Sequence, residues 1–311
     1  MNTPDIEGIQ VILEEPKEKI SLYDSGTKIQ RISVVGLMRD CAEYVEYMLK
    51  VLDNMIKLYD VEFDFYFLEN NSKDNTRELL VDWIDEKDGN VLLYDLKKDY
   101  NRTSHGIDFD RVSTLAFLRN KIKNNITPLD SDWVLMLDSN IYFDPKELQK
   151  FFACNPTKNN IGMMGAYTHQ LHSPDILSRQ VQEELNLPEN KLISMHHYYD
   201  TYALIDEVGK THFPQCPFDK CKICVNYSRG LNRRLIPEAQ NIVDVKSCFG
   251  GLVMIQTDLY NREAIQWGTI SYEPKMDLSL CEHVQFCDRI NAITGKRIVI
   301  LQNLDKVFRT N

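Results

Sequence analysis

The sequence predicts an α/β protein with a mostly parallel central sheet flanked by helices. Strand-like apolar runs alternate with helix-periodic stretches through the first half of the chain, the pattern of a doubly wound sheet. The run 133–137, Trp-Val-Leu-Met-Leu, is apolar at every position, as expected of a strand covered on both faces. That run ends abruptly in Asp138-Ser139-Asn140. In open α/β sheets ligands bind at the C-terminal ends of strands.

Taken in order, residues 1–30 carry no convincing periodicity and read as an irregular arm, with one edge strand at 9–13. Residues 31–40 form a first strand that ends in charge. From 42 to 59, Val45, Met48, Leu49, Leu52, Met55 and Ile56 recur at helical spacing. Residues 63–68 predict a second strand. The polar stretch 69–76 leads into a helix at 77–84, with Asp74 or Ser72 as its natural cap. A third strand is expected at 91–96. A helix follows at 110–124, with Val112, Leu115, Ala116, Leu118 and Ile122 on its buried side. The strand from Trp133 comes next. In an extended chain side chains alternate, so Asp138 and Asn140 are expected on one face and Ser139 on the other. Oxygen groups at such a place suit a hard divalent cation and the phosphates it carries. The plainer reading is a strand followed by a capped turn, with Asp144-Pro145 opening a helix.

The second half is less regular. It predicts a strand at 161–167, a helix at 173–185, an aromatic and polar segment at 195–208 and a basic one at 229–234. A strand-like run at 243–255 contains Gly250-Gly251, which suggests a backbone that something approaches closely. A helix at 280–294 carries Cys281, Glu282, His283, Cys287 and Asp288, and a last strand spans 297–302.

Composition narrows the function classes. The 311 residues suit one large domain or two small ones, and 43% hydrophobic with 10% aromatic content is ordinary for a protein with a real core. A net charge of −10 argues against a nucleic-acid binder. No apolar run approaches the roughly 20 residues of a membrane span, and the acidic N-terminal arm has no signal-peptide core. A cytoplasmic setting, the host cytoplasm for a viral protein, is the resulting expectation. The eight cysteines are spread too widely for a small disulfide scaffold. The cluster His212, Cys216, Cys221 and Cys224 has the residue types of a structural zinc site, with a disulfide or plain buried thiols as alternatives.

Several segments together resemble a GT-A-type (Rossmann-like) glycosyltransferase. Glu69-Asn-Asn-Ser-Lys-Asp-Asn-Thr76 matches the acidic loop after the second strand of that fold. Arg111-Val-Ser-Thr-Leu-Ala-Phe-Leu-Arg119-Asn120 matches the helix before its metal strand. Leu137-Asp-Ser-Asn140-Ile reads as its Asp-x-Asp motif with the last carboxylate replaced. Tyr199-Asp200-Thr201 and Ser247-Cys-Phe-Gly-Gly251 resemble segments of the fungal capsule-associated α-1,3-mannosyltransferases and of related viral and protist enzymes. The resemblance covers roughly residues 31–305.

It implies a single domain over 31–311, with nucleotide-sugar binding in 31–145 and an acceptor side in 146–311. It implies a UDP- or GDP-sugar donor, a glycan or glycoprotein acceptor, and Mn²⁺ or Mg²⁺. On the donor side it points to Val35, Gly36, Arg39, Glu69, Asp74, Arg119, Asp138 and Ser139. Asp138, Asn140 and His283 are the implied metal positions. Tyr199, Asp200, Gly250 and Gly251 fall on the acceptor side.

Glycosyl transfer requires the charge of the leaving diphosphate to be offset and the acceptor hydroxyl to be held in line. An inverting enzyme also needs a carboxylate base, for which Glu282 is the first candidate and Asp277 the second. A retaining enzyme needs no strong base, and Glu282 would then position substrate. Each of these residues also has a plain structural reading. Glu282 and Arg119 suit a solvated helix face, His283 a hydrogen-bonded core, and Glu69 and Asp74 a helix cap. Two other classes stay open: a sugar-1-phosphate nucleotidyltransferase, though the chain lacks its early glycine-rich signature, and a non-catalytic carbohydrate or nucleotide-sugar binder on a decayed fold, which Asn140 favours.

Overall fold

The structure is a computed structural model that describes residues 16–97, 109–172, 193–198, 200, 202–210, 241–273, 278–304 and 306–309. The expected edge strand at 9–13, the helix at 173–185, the basic segment at 229–234 and the zinc candidates His212, Cys216, Cys221 and Cys224 lie outside the described residues. So do Tyr199 and Asp277.

The central sheet has nine strands: β1 (Arg31–Met38), β2 (Glu62–Glu69), β3 (Gly89–Leu93), β4 (Trp133–Asp138), β5 (Ile161–Ala166), β6 (Ile205–Asp206), β7 (Ile242–Ser247), β8 (Leu252–Gln256) and β9 (Arg297–Leu301). Their spatial order is β6-β7-β9-β5-β8-β4-β1-β2-β3. Seven strands point one way, and only β7 and β8 are reversed. The sheet is therefore mostly parallel, and it runs unbroken through both halves of the chain.

Four longer helices flank it: α1 (Ala42–Leu58), α2 (Thr76–Ile84), α3 (Phe109–Ile126) and α4 (Glu282–Thr294). Consecutive residues of β4 feed two different cores. Leu135 and Leu137 pack with residues of α1 and α2 on one face. Val134 and Met136 pack with Ala116, Leu118 and Ile122 of α3 and with Val284, Phe286 and Ile290 of α4 on the other. This explains the unbroken apolar run, because a strand with helices on both sides has no solvent face.

Three expectations need correction. The strand after Trp133 stops at Asp138, and Ser139 and Asn140 form a turn. The extended-chain argument that put Asp138 and Asn140 on one face therefore fails. The reason is that partner strand β8 begins only at Leu252, so the ladder to β4 ends with Leu137 opposite Leu252 and the Asp138 N–H donating to Gly251 O at 2.8 Å. The run 243–255 is two strands, β7 and β8, separated by a turn at Gly250 and Gly251 (φ 68° and 74°). The third strand covers 89–93 rather than 91–96. By contrast, Asp144 caps the turn at Pro145–Glu147 as expected, accepting from Lys146 N at 3.0 Å.

A second sheet of four short strands was not legible. Its order is Ile193–Tyr198, His169–His172, Val307–Arg309, Ile141–Phe143. Among the described residues no helix is long and apolar enough to cross a membrane.

Candidate active site

The site is built on the reversed strand β8. Its antiparallel pairing with β4 brings the turn Gly250-Gly251 beside Asp138, more than a hundred residues earlier in the chain. Both glycines have left-handed φ, which a side chain tolerates poorly. Space forbids a side chain as well. A Cβ on Gly250 would stand 2.6 Å from Ala166 O, and one on Gly251 would strike Ile141 and come within 3.6 Å of Asp138 Oδ2. Thr168 Oγ1 donates to Gly250 O at 2.5 Å. Asp200 holds the turn from the other side. Its Oδ2 accepts from Gly250 N at 3.0 Å and its Oδ1 from Ala203 N at 3.2 Å.

Arg119 ties the elements together. It sits on α3, buried, and its Nε donates to Glu282 Oε1 at 3.1 Å. A second guanidinium nitrogen is 3.6 Å from Asp138 Oδ1, and the group lies over the Phe249 ring at 4.8 Å. One cation thus spans the end of β4, the start of α4 and the turn before β8.

The surroundings tune each group. Burial pushes the Asp138 carboxyl above its ordinary range, although Arg119, Arg309 and Arg111 oppose the shift. Burial pushes Asp200 up to about 7 against the pull of its two backbone N–H donors, and the charges of Asp138 and Glu282 add to the rise. Burial would raise Glu282 too, but Arg119 and the N–H at the start of α4 outweigh it and hold the carboxyl below the usual range. His283 is itself pushed down to about 3, by burial and by Arg119. It is neutral at physiological pH, so Arg119 is the cation that Glu282 faces.

His283 is 1% exposed and stacked on Phe249 at 3.9 Å. Trp267 Nε1–H donates to its Nδ1 at 3.3 Å. A neutral ring that accepts at Nδ1 carries its proton on Nε2. That Nε2 lies 3.5 Å from Glu282 Oε1 and is buried without a hydrogen-bond partner among the described residues.

The candidate donor residues divide. Val35 and Gly36 lie inside β1. Val35 is buried, and a Cβ on Gly36 would come within 2.6 Å of the end of the Met38 side chain. Glu69 is buried, pairs with Arg77 Nε at 2.6 Å and accepts from Ser72 N at 2.9 Å. Asp74 accepts from Thr76 N and Thr76 Oγ1, and its other oxygen accepts from Ala42 N at 3.0 Å, so it caps both α1 and α2. These carboxylates fix the loop 69–76 against the end of β1, where the Arg39 guanidinium lies 3.5 Å from Asp40. Ser139 stands beside the Cys41 thiol. Asp138, Arg119, Asp200, Gly250, Gly251, Glu282 and His283 are brought together; Glu69 and Asp74 hold structure around them.

Among the described residues no group of three or more His, Cys, Asp or Glu is arranged to hold a metal. The oxygens of Asp138 and Asn140 fit a hard cation chemically. The Asp138 side chain is 27% exposed.

The sequence reading missed three contributors. Phe249 is the platform under Arg119 and His283, and Trp267 sets the histidine's tautomer. Arg309 acts on Asp138 from the last described strand. Phe249 lies within the segment 247–251 but its role was not read from it, and no short-range pattern marks Trp267 or Arg309, because their partners are far away in the chain.

A mostly parallel sheet of this kind, flanked by helices, is the fold of GT-A-type glycosyltransferases. The structure of GalNAc-T7 with UDP, GalNAc and Mn²⁺ matches it at a TM-score of 0.50 and 11% identity, over 93% of this chain and 45% of that one. The S. aureus protein TarS matches at 0.49 and 12%, covering 91% and 37% of the respective chains. The Pyrobaculum calidifontis mannosyltransferase PcManGT, solved with GDP-Man and Mn²⁺, matches at 0.47 and 12%, covering 95% and 60%. This chain thus covers between 37% and 60% of each of these chains, less than two thirds. A search of curated protein sequences found no match. The family model described as Cryptococcal mannosyltransferase 1 matches residues 34–288, and the chain belongs to that family.

Proposed function

We propose that this protein transfers a sugar from a nucleoside-diphosphate sugar, UDP- or GDP-linked, to a hydroxyl of a glycan or glycoprotein. One observation carries the reading. A buried guanidinium, Arg119, is held between Asp138 and Glu282 at the C-terminal end of β4, beside the left-handed Gly250-Gly251 turn. Family membership and the GT-A fold support the same class.

Each residue then has a task. Arg119 supplies positive charge where the leaving diphosphate gathers negative charge, in surroundings where water screens little. Glu282 is 3% exposed and already paired, so it holds Arg119 in position. Gly250 and Gly251 let the sugar lie against backbone. Asp200, 8% exposed and titrating at about 7, is the carboxyl suited to take a hydrogen bond from the acceptor hydroxyl and to handle its proton near neutral pH. Asp138 and Asn140 would hold a divalent cation, Mn²⁺ or Mg²⁺, which when bound would offset diphosphate charge.

The test is a thermal-shift panel of UDP- and GDP-sugars, each with and without Mn²⁺, paired with a measurement of released UDP or GDP. The expected result is a shift with one nucleotide family and release of that nucleotide when acceptor glycans are added. Shifts without release on any acceptor favour the binding-only reading that Asn140 suggests. No shift with any nucleotide overturns the proposal.

A further inference from the structure

His283 carries a donor that no described residue uses. Its Nε2 is buried and makes no hydrogen bond among the described residues, although it lies 3.5 Å from Glu282 Oε1. A buried N–H without an acceptor has lost water and gained nothing in return, so such a group calls for a reason. The ring is held firmly in this state. Trp267 Nε1–H donates to Nδ1 at 3.3 Å, which leaves the proton on Nε2, and Phe249 stacks on the imidazole at 3.9 Å. Trp267 is itself fixed by three contacts. Asn120 accepts from Trp267 N at 2.9 Å and donates to Trp267 O at 2.8 Å, Phe286 stacks on the indole at 4.0 Å, and Arg289 donates to the neighbouring Gln266 carbonyl at 2.8 Å. These contacts close a circuit. Arg119 and Asn120 are neighbours on α3; Arg119 reaches Glu282, Asn120 reaches Trp267, and Trp267 reaches His283, the residue after Glu282.

Glu282 Oε1 therefore has two donors near it and uses one. Arg119 Nε donates at 3.1 Å, while the contact at the other oxygen is the Cys281 thiol, a weak donor, at 3.4 Å. With Arg119 in place the buried carboxylate is compensated. Once Arg119 commits its charge to an anion, Glu282 stays buried with that compensation reduced, which is costly. His283 Nε2–H already stands beside the same oxygen. A movement of roughly half an ångström brings the pair into the ordinary range of an N–H···O hydrogen bond.

We propose that His283 is a positioning residue, held by Trp267 and Asn120 as a second donor for Glu282, and that it takes over Glu282 Oε1 when Arg119 turns its charge to the diphosphate of the donor. This deepens the donor reading above and rests on it. A neutral donor suits the task, because it satisfies the carboxylate without adding a charge that would repel the guanidinium.

The test is a double-mutant cycle read by urea denaturation at pH 8, with Arg119→Met and His283→Phe made singly and together. His283→Phe keeps a ring against Phe249 and removes the N–H; the loss of the Trp267 contact is common to both backgrounds and cancels in the cycle. The two changes together are expected to raise the unfolding equilibrium constant about tenfold more than the single effects multiplied, because Glu282 then has neither donor. His283→Gln, which keeps a side-chain N–H, should remove most of that excess. A packing role for His283 gives independent effects, and their independence overturns the inference while leaving the donor reading intact. If the double variant does not fold, the decision passes to spectra of ¹⁵N-histidine-labelled wild type titrated with UDP and GDP. The His283 proton is expected on Nε2 in the free protein, and its resonance is expected to move downfield on saturation as the bond to Glu282 forms. A proton on Nδ1, or an Nε2–H resonance unmoved by a nucleotide that binds, overturns the inference. If wild type binds neither UDP nor GDP, the donor reading itself fails and this inference falls with it.

Discussion

Replacing Arg119 by Met removes the cation at the centre of the site and keeps most of the volume of the side chain. Its charge faces Glu282 at 3.1 Å and Asp138 at 3.6 Å. At an effective dielectric constant of about 20, each pair is worth roughly 5 kcal/mol in gross attraction. The guanidinium's own desolvation offsets part of this, but the substitution leaves Glu282 buried without its cation and removes one of the charges that hold Asp138. Breaking a buried pair in this way costs about 3–5 kcal/mol.

The loss depends on pH with a defined sign. In the wild type Glu282 is held below its ordinary range, so its contribution is present above the unfolded pKa and is lost as pH falls through the folded one. In the variant both carboxyls rise, so the penalty is full at pH 8 and shrinks toward pH 5 as they take up protons. Urea denaturation of wild type and Arg119→Met at pH 5 and pH 8 measures this directly. A destabilisation below about 1 kcal/mol, or an equal loss at both pH values, would refute the reasoning.

Further outcomes follow from the same geometry. Gly250→Ala should cost more than the roughly 1–2 kcal/mol of a left-handed backbone, because its Cβ meets Ala166 O, whereas Gly295→Ala, with φ 63° and nothing within 4 Å, should cost only that strain; paired denaturation curves give the comparison, and equal losses would contradict it. Asp200 has a folded pKa raised to about 7, so the wild type should lose stability as pH climbs from about 4 through 7, by at most on the order of 4 kcal/mol. Asp200→Asn should flatten that slope in a plot of Tm against pH, and an unchanged slope would rule this out. The His283 ring, pushed down to about 3, should show no titration in its NMR resonances between pH 8 and 5. A midpoint near 6.5 would mean that the ring is hydrated rather than stacked on Phe249.

Much of the fold was legible because its signals are local. The run 133–137 declared a doubly covered strand, and the structure shows its residues alternating between two cores. The helical spacing from Val45 to Ile56 gave α1 to within a residue. Asp74 announced a cap, though only the fold shows that it caps two helices at once. The motifs singled out Asp138 and Arg119 as donor-side, Asp200 and Gly250-Gly251 as acceptor-side and Glu282 as a candidate base, and the fold brings these residues together.

Local periodicity carries no information about strand direction. The reversal of β8, and with it the glycine turn beside Asp138, therefore appeared only in the folded chain. Extended alternation also misplaced Asn140, because a strand ends where its hydrogen-bonding partner does. The roles of the charged groups depended most on tertiary structure. Nothing near Glu282 in sequence reveals that Arg119 pairs with it 163 residues away. Nothing near His283 reveals that Trp267 fixes its proton on the nitrogen facing a carboxylate. The sequence by itself determined which elements form and which residue types reach the strand ends. The tertiary structure alone determined which charges meet and how deeply they are buried, because electrostatic energy depends on distance and dielectric surroundings, and chain order specifies neither.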